Sequence, residues 1–99
     1  MEFTIKNPGG NIVNIGRDIG YILQKQSSNN EVSFVRPLGG DYPRFHLYVK
    51  LAGDQGSGLL FSLHIDQKRP IYKQVHDHAA EYDTPVVQSE ATRIQKVLK

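Results

Sequence analysis

The chain contains no cysteine. That excludes a disulfide framework and any thiolate metal site, so its 99 residues must hold together by packing alone. The absence fits a reducing compartment. Long apolar runs are missing too: none approaches the roughly 20 residues needed to cross a bilayer. The amino terminus, MEFTIKNPGG, lacks the basic start and following apolar stretch of a secretory signal. The expectation is a soluble, cytoplasmic protein with no membrane partner. Charge of one sign is not abundant either, since 12 Lys and Arg stand against 10 Asp and Glu for a net +2, with the signs interspersed. Committed nucleic-acid binders cluster their basic residues more heavily, so the balance neither demands nor excludes an anionic partner. No internal repeat, low-complexity stretch or long linker divides the chain. One domain over residues 1–99 is expected, near the lower end of comfortable domain size.

Several catalytic signatures are also absent. The glycine-rich stretches NPGG, PLGG and GDQGSG have neither the Lys-Ser/Thr ending of a phosphate loop nor dinucleotide spacing after a strand, and they read as turns. FSLH sets Ser62 and His64 on one strand, without the strand-turn-helix setting of a nucleophile elbow. No H-E-x-x-H helix is present.

Along the chain, EFTIK alternates Phe3 and Ile5 with polar neighbours and reads as a short strand. Asn7 followed by Pro8 resembles a helix N-cap and first helical position. Ile12, Ile15 and Ile19 then recur at helical spacing until Gly20, although Gly9, Gly10 and Gly16 weaken that helix. YILQK and EVSFVRPL are rich in β-formers and flank QSSNN as a hairpin loop. PLGGDYPR ends the second of these strands with paired glycines and prolines.

The strongest pattern is RFHLYVKL, then AGDQGSG, then LLFSLHID: two alternating strands joined by a glycine-rich loop. With the loop centred near Gln55, Phe45 faces Ile65, Leu47 faces Leu63 and Val49 faces Phe61 on what must be the core side. The same register sets His46 across from His64, Tyr48 across from Ser62 and Lys50 across from Leu60 on the other face. A slip of one residue would exchange the faces, which the apolar pattern forbids.

TPVVQSEATRIQKVLK is the best helix, with Thr84 as N-cap, Pro85 at the first position, and Lys96 and Lys99 near the negative end. Val87, Ala91, Ile94 and Leu98, with Val97 beside them, form an apolar stripe that needs a sheet to cover. The expected fold class is α+β: a small two-layer domain, an antiparallel sheet with an N-terminal and a C-terminal helix on one face. The histidine face is then the open side.

Residues 64–83, HIDQKRPIYKQVHDHAAEYD, hold three of the four histidines and four of the ten acidic residues. Cross-strand Cβ atoms lie about 4.5–5.5 Å apart, so His46 and His64 can reach one ion with Zn–N bonds of about 2.0–2.1 Å. His76 and His78 point the same way in extended chain, but about 200° apart on a helix. Ile71, Val75, Ala79 and Tyr82 allow a helix behind Pro70. Tyr72, Lys73 and the turn formers of DHAAEYDTP favour extended or irregular chain. The ten residues after Asp66 span about 33 Å extended, enough to fold back on His64.

The expected metal site is therefore His46, His64, His76 and His78, with Asp66, Asp77, Glu81 and Asp83 available to complete a shell or orient a ring. Imidazole selects zinc, nickel or copper over magnesium or calcium, with zinc the cofactor expected first. Three histidines and an open position would make a hydrolytic centre, four closed ligands a structural one. Whether the chain is an enzyme is left open.

A different class of function rests on Arg36, Arg44, Lys50, Lys68, Arg69 and Lys73 interleaved with Tyr42, Tyr48 and Tyr72. Aromatics on an open sheet face stack bases while basic side chains track phosphates of a single-stranded nucleic acid. Ordinary surface charge with half-buried tyrosines accounts for the same residues. A protein-interaction module is the third class, and its mark is an exposed apolar patch of a few hundred Å².

DYPRFHLYVK, FSLHIDQKRPIYK and HDHAAEYDTPVV together resemble a family of short bacterial proteins of unassigned activity. The resemblance runs from about the first helix onward. The shared pattern has a Tyr-Pro-Arg turn and a histidine in each hairpin strand, and it implies a shared small domain. Where the related chains carry glycine and serine after the second paired histidine, this one has Ala79 and Ala80, which favours local helix and weighs against the shared-ion geometry.

Overall fold

The computed structural model describes residues 1–27, 29–67, 80–81 and 84–98. Its centre is the pair of strands with the clearest alternation, β4 (Arg44–Ala52) and β5 (Gly58–Asp66). They pair antiparallel in the register the apolar pattern dictates: Phe45 opposite Ile65, Leu47 opposite Leu63, Val49 opposite Phe61 and His46 opposite His64. Gln55, at the middle of the connecting loop, has φ of 56°.

Around that pair lie β1 (Glu2–Lys6), β2 (Ile22–Gln26) and β3 (Val32–Pro37), giving the order β1-β5-β4-β3-β2. Every pairing is antiparallel. A two-residue strand, β6 (Ala80–Glu81), pairs with Ile65 and Asp66 beyond the end of β1. The β2–β3 hairpin expected around QSSNN is present, with a register shift between Leu23 and Lys25.

Two helices cover one face. α2 (Pro85–Val97) starts as its sequence dictates: Thr84 is the N-cap, its hydroxyl accepts from Val87 N, and Pro85 leads the first turn. Val87, Ala91 and Ile94 are buried in the core cluster that also holds Leu47, Leu59, Phe61 and Leu63. Val97 does not join them and is 48% exposed. At about 100° per residue it lies roughly 80° round the helix from Val87, beyond the sheet's cover.

The N-terminal helix, α1 (Ile12–Asp18), begins four residues later than the Asn7-Pro8 pair suggests. Asn11 is the true N-cap, its side chain accepting from Val13 N. Asn7 is used otherwise: its Oδ1 accepts from Gly9 N and its Nδ2 donates to Gly56 O, tying this segment to the β4–β5 loop. Gly9 and Gly10, at φ of 88° and 87°, keep the intervening chain out of helix. α1 ends at Gly20 as expected, at φ of 90°. Ile15 and Ile19 enter the core, and Gly16 lets the helix settle on the ring of Phe34.

The α+β architecture is thus the expected one, with both helices on the face of Phe45, Leu47, Val49, Phe61, Leu63 and Ile65. Among the described residues no helix is long and apolar enough to cross a membrane.

Candidate metal centre

Alternation along β4 and β5 sends Arg44, His46, Tyr48 and Lys50, and Leu60, Ser62, His64 and Asp66, to the face opposite the helices. Arg44 stands across from Asp66, His46 from His64 and Tyr48 from Ser62. Asp66 follows His64 by two residues on the same face and lies diagonal to His46, within the usual reach of cross-strand neighbours. Its carboxylate uses both oxygens. Oδ2 is 3.0 Å from His46 Nδ1, and Oδ1 is 2.9 Å from His64 Nε2.

The three side chains keep only 11–13% of their accessible surface. The face is therefore more secluded here than its position opposite the helices suggests. Tyr48 stacks on His46 at 4.6 Å between ring centroids and on His64 at 6.0 Å, while the two imidazoles are 4.9 Å apart. At the other end Arg44 places its guanidinium carbon 4.7 Å over the ring of Tyr42 and its Nε 3.5 Å from Asp66 Oδ2.

Burial by itself pushes the Asp66 carboxyl up. The hydrogen bonds from His46 and His64, together with the charge those rings can carry, outweigh it and hold the carboxyl well below the usual range. An ionised carboxylate only accepts, so the ring protons sit on His46 Nδ1 and His64 Nε2. His46 Nε2 is then left buried with no hydrogen-bond partner among the described residues, and so is Arg44 Nε. Two unsatisfied buried nitrogens in one cluster are costly, at about 1–3 kcal/mol each.

His46, His64 and Asp66 each offer a ligand atom, and these atoms all lie within 4.8 Å of one another. The expected pairing of His46 with His64 is present, and Asp66, expected as an outer or completing carboxylate, sits between them. His76, His78, Asp77 and Asp83 lie outside the described residues, and Glu81 is described only through the backbone pairing of β6.

The basic and aromatic residues considered for nucleic-acid binding are dispersed. Arg36 is on the helix side, 3.4 Å from Glu90; Arg44 is paired with Asp66; and Tyr48 lies against the imidazoles. Lys50 remains exposed on the histidine face, and Lys68, Arg69, Lys73 and Tyr72 lie outside the described residues.

A second polar cluster escaped the sequence reading altogether. Glu90 on α2 is 5% exposed and accepts from Tyr21 Oη at 2.6 Å and from Arg93 Nε and Nη2, both at 2.8 Å. Arg93 also donates to Ile19 O at 2.7 Å, fastening α2 to the end of α1. Burial raises the Glu90 carboxyl, but the hydrogen bonds from Arg93 and Tyr21 bring it below the ordinary range. Burial and the neighbouring carboxylate push the Tyr21 phenol far up. The available signal was position, since Glu90 follows Val87 by three residues and so borders the apolar stripe.

Comparison with protein-family models, with curated proteins and with solved structures finds no match for this chain.

Proposed function

We propose that this chain binds one divalent transition-metal ion, zinc first, through His46, His64 and Asp66 on the sheet face opposite the helices. The observation that carries this reading is the convergence of two imidazoles and a carboxylate, with ligand atoms within 4.8 Å, on two adjacent and well-packed strands. The two histidine-carboxylate contacts of 2.9 and 3.0 Å approach the roughly 3.0–3.4 Å between neighbouring ligand atoms around an ion with bonds of about 2.1 Å. Closing the set on one ion would require ligand atoms now within 4.8 Å of one another to draw together by side-chain rotation.

Donor chemistry supports a borderline ion. Imidazole suits zinc, nickel and copper, whereas magnesium and calcium prefer all-oxygen sites. Asp66 is already held ionised, so the carboxylate needs no deprotonation; each imidazole would free the nitrogen that faces Asp66 by carrying its ring proton on the other nitrogen. His46 and His64 are set by a register that the core side of the same strands enforces. The site is therefore preorganised by packing that has nothing to do with metal.

Three protein ligands leave a coordination position open, the arrangement of a centre that binds water or an exogenous ligand. His76 and His78 complete a closed four-histidine set in the alternative form of this proposal. Comparing the wild-type chain with a His76→Ala/His78→Ala variant separates the two forms: an unchanged zinc affinity supports the open set, and a large loss the closed one.

The test of the reading itself is thermal. Binding to the folded state raises stability by about 2.7 kcal/mol at a free metal concentration one hundred times Kd. Added Zn²⁺ should raise the melting temperature, a chelator should reverse it, and His46→Ala should be blind to both. A wild-type melting temperature indifferent to Zn²⁺, Ni²⁺ and Cu²⁺ ends the proposal.

A further inference from the structure

We infer that the metal-loaded centre takes a small oxyanion, a carboxylate or phosphate group, held jointly by the ion and by the guanidinium of Arg44. This rests on the metal reading above and deepens it by naming the class of ligand for the open position.

The first support is an unsatisfied donor. Arg44 Nε is buried, has no hydrogen-bond partner among the described residues, and stands 3.5 Å from Asp66 Oδ2, close enough for charge attraction but too long for a good charge-assisted bond. Its side chain is 21% exposed, so water reaches it poorly. A guanidinium with five donors, a buried Nε and one loose ion pair among the described residues is an incomplete recognition element.

The second support is orientation. The guanidinium carbon lies 4.7 Å from the Tyr42 ring centroid, a contact that restricts the side chain, and β4 places Arg44 directly opposite Asp66. Arginine recognises carboxylate and phosphate through a planar fork, and a fork already held against a ring loses less entropy on binding. Its neighbour in the cluster, the carboxylate of Asp66, is the group proposed to carry the ion.

The third is charge. Without metal, the Asp66 carboxylate and the Arg44 guanidinium offset one another. A divalent ion on Asp66 leaves two positive charges uncompensated among side chains that keep only 11–21% of their accessible surface. Among the described residues Asp66 is the carboxylate at this centre, so an anion from outside is the simplest compensation. An oxyanion does this with one oxygen on the ion and another on Arg44, a geometry that chloride or hydroxide cannot reproduce.

The test uses the full chain loaded with Co²⁺, whose visible absorption reports coordination, titrated separately with inorganic phosphate and with acetate. Metal stoichiometry is measured before any anion is added; a chain that binds no metal fails at that step, and the metal reading and this inference fall together. With metal bound, either anion should perturb the spectrum saturably. Which of the two binds more tightly tells phosphate chemistry from carboxylate chemistry.

Arg44→Gln should weaken anion binding by about tenfold or more, the scale of a lost charge-assisted hydrogen bond. Co²⁺ affinity of the variant is measured first, and its anion affinity is compared with the wild type at full metal occupancy, so that a change in metal binding is not counted as a change in anion binding. Arg44→Lys, which keeps the charge without the fork, should fall between them. Metal bound normally with no spectral response to either anion overturns the inference and leaves the metal reading standing. So does an Arg44→Gln chain whose anion affinity equals that of the wild type.

Discussion

His46 and His64 face one another across the β4–β5 ladder with imidazole centroids 4.9 Å apart, and one carboxylate, that of Asp66, reaches both rings. The pairing follows from packing on the opposite side of the same strands. Leu47 and Leu63, the next residues along, are fully buried and cannot exchange faces with the histidines without exposing the core. Replacing Leu63 by Ala should therefore cost about 2–5 kcal/mol by chemical denaturation, the range for large-to-small core changes. A loss under about 0.5 kcal/mol, typical of a surface position, would place Leu63 outside the core.

Gly16 tests how closely α1 approaches the sheet. Alanine is the better helix former by about 1 kcal/mol, so on an isolated helix Gly16→Ala would stabilise. Here the added Cβ would overlap the Phe34 ring, which is fully buried and has no room to retreat. Net destabilisation of about 1–3 kcal/mol is expected from overpacking. A raised melting temperature would show that the helix stands farther from Phe34.

The Glu90 cluster should govern stability at both ends of the pH scale, with opposite signs. Glu90 has its folded value depressed, so its contribution is present above the free carboxylate value of about 4.3 and is lost as pH falls through the folded value. Tyr21 has its folded value raised, so its contribution is complete below the free phenol value of about 10 and is lost as pH climbs toward the folded one. Tyr21→Phe should lower stability by about 1.5–3 kcal/mol at neutral pH, since it removes a hydrogen bond to a charged group. It should also flatten the alkaline decline of the melting temperature. An alkaline limb unchanged in the variant would contradict the assignment.

Much of this was legible in the sequence, and the reasons differ by residue. Register and faces were readable because β4 and β5 both alternate, so a single pairing satisfies both strands. α2 was readable because Thr84, Pro85 and the stripe of Val87, Ala91 and Ile94 agree with one another. The start of α1 was misplaced because Asn7-Pro8 has the chemistry of a cap, while tertiary contact draws Asn7 to Gly56 instead. Glu90 was missed because a helix carboxylate is ordinarily solvated, and its partners Tyr21, Arg36 and Arg93 come together only in the folded chain. Asp66 was recognised as a useful carboxylate, but its position between the two rings depends on side-chain reach, which strand pairing alone does not specify. The proposed contribution of His76 and His78 concerns residues outside those described.

Metal affinity should depend on pH in the direction that neutral imidazole requires. As pH falls through about 6.5, the free histidine value, protons compete with the ion and apparent affinity should drop steeply. Direct titration at several pH values checks this. An affinity independent of pH between about 5 and 8, the range over which free imidazole titrates, would exclude histidine ligation.

The most direct measurement is the zinc stoichiometry of the chelator-stripped chain by calorimetric titration near pH 7.5, alongside Asp66→Asn and His64→Ala. The account predicts close to one ion per chain for the wild type. Both variants should lose affinity by at least the roughly 10–100-fold typical of removing even an orienting partner, and by more if the residue binds the ion itself. A wild-type chain that takes up no zinc, or variants that bind it as the wild type does, would contradict the account and leave His46, His64 and Asp66 as a buried hydrogen-bond network alone.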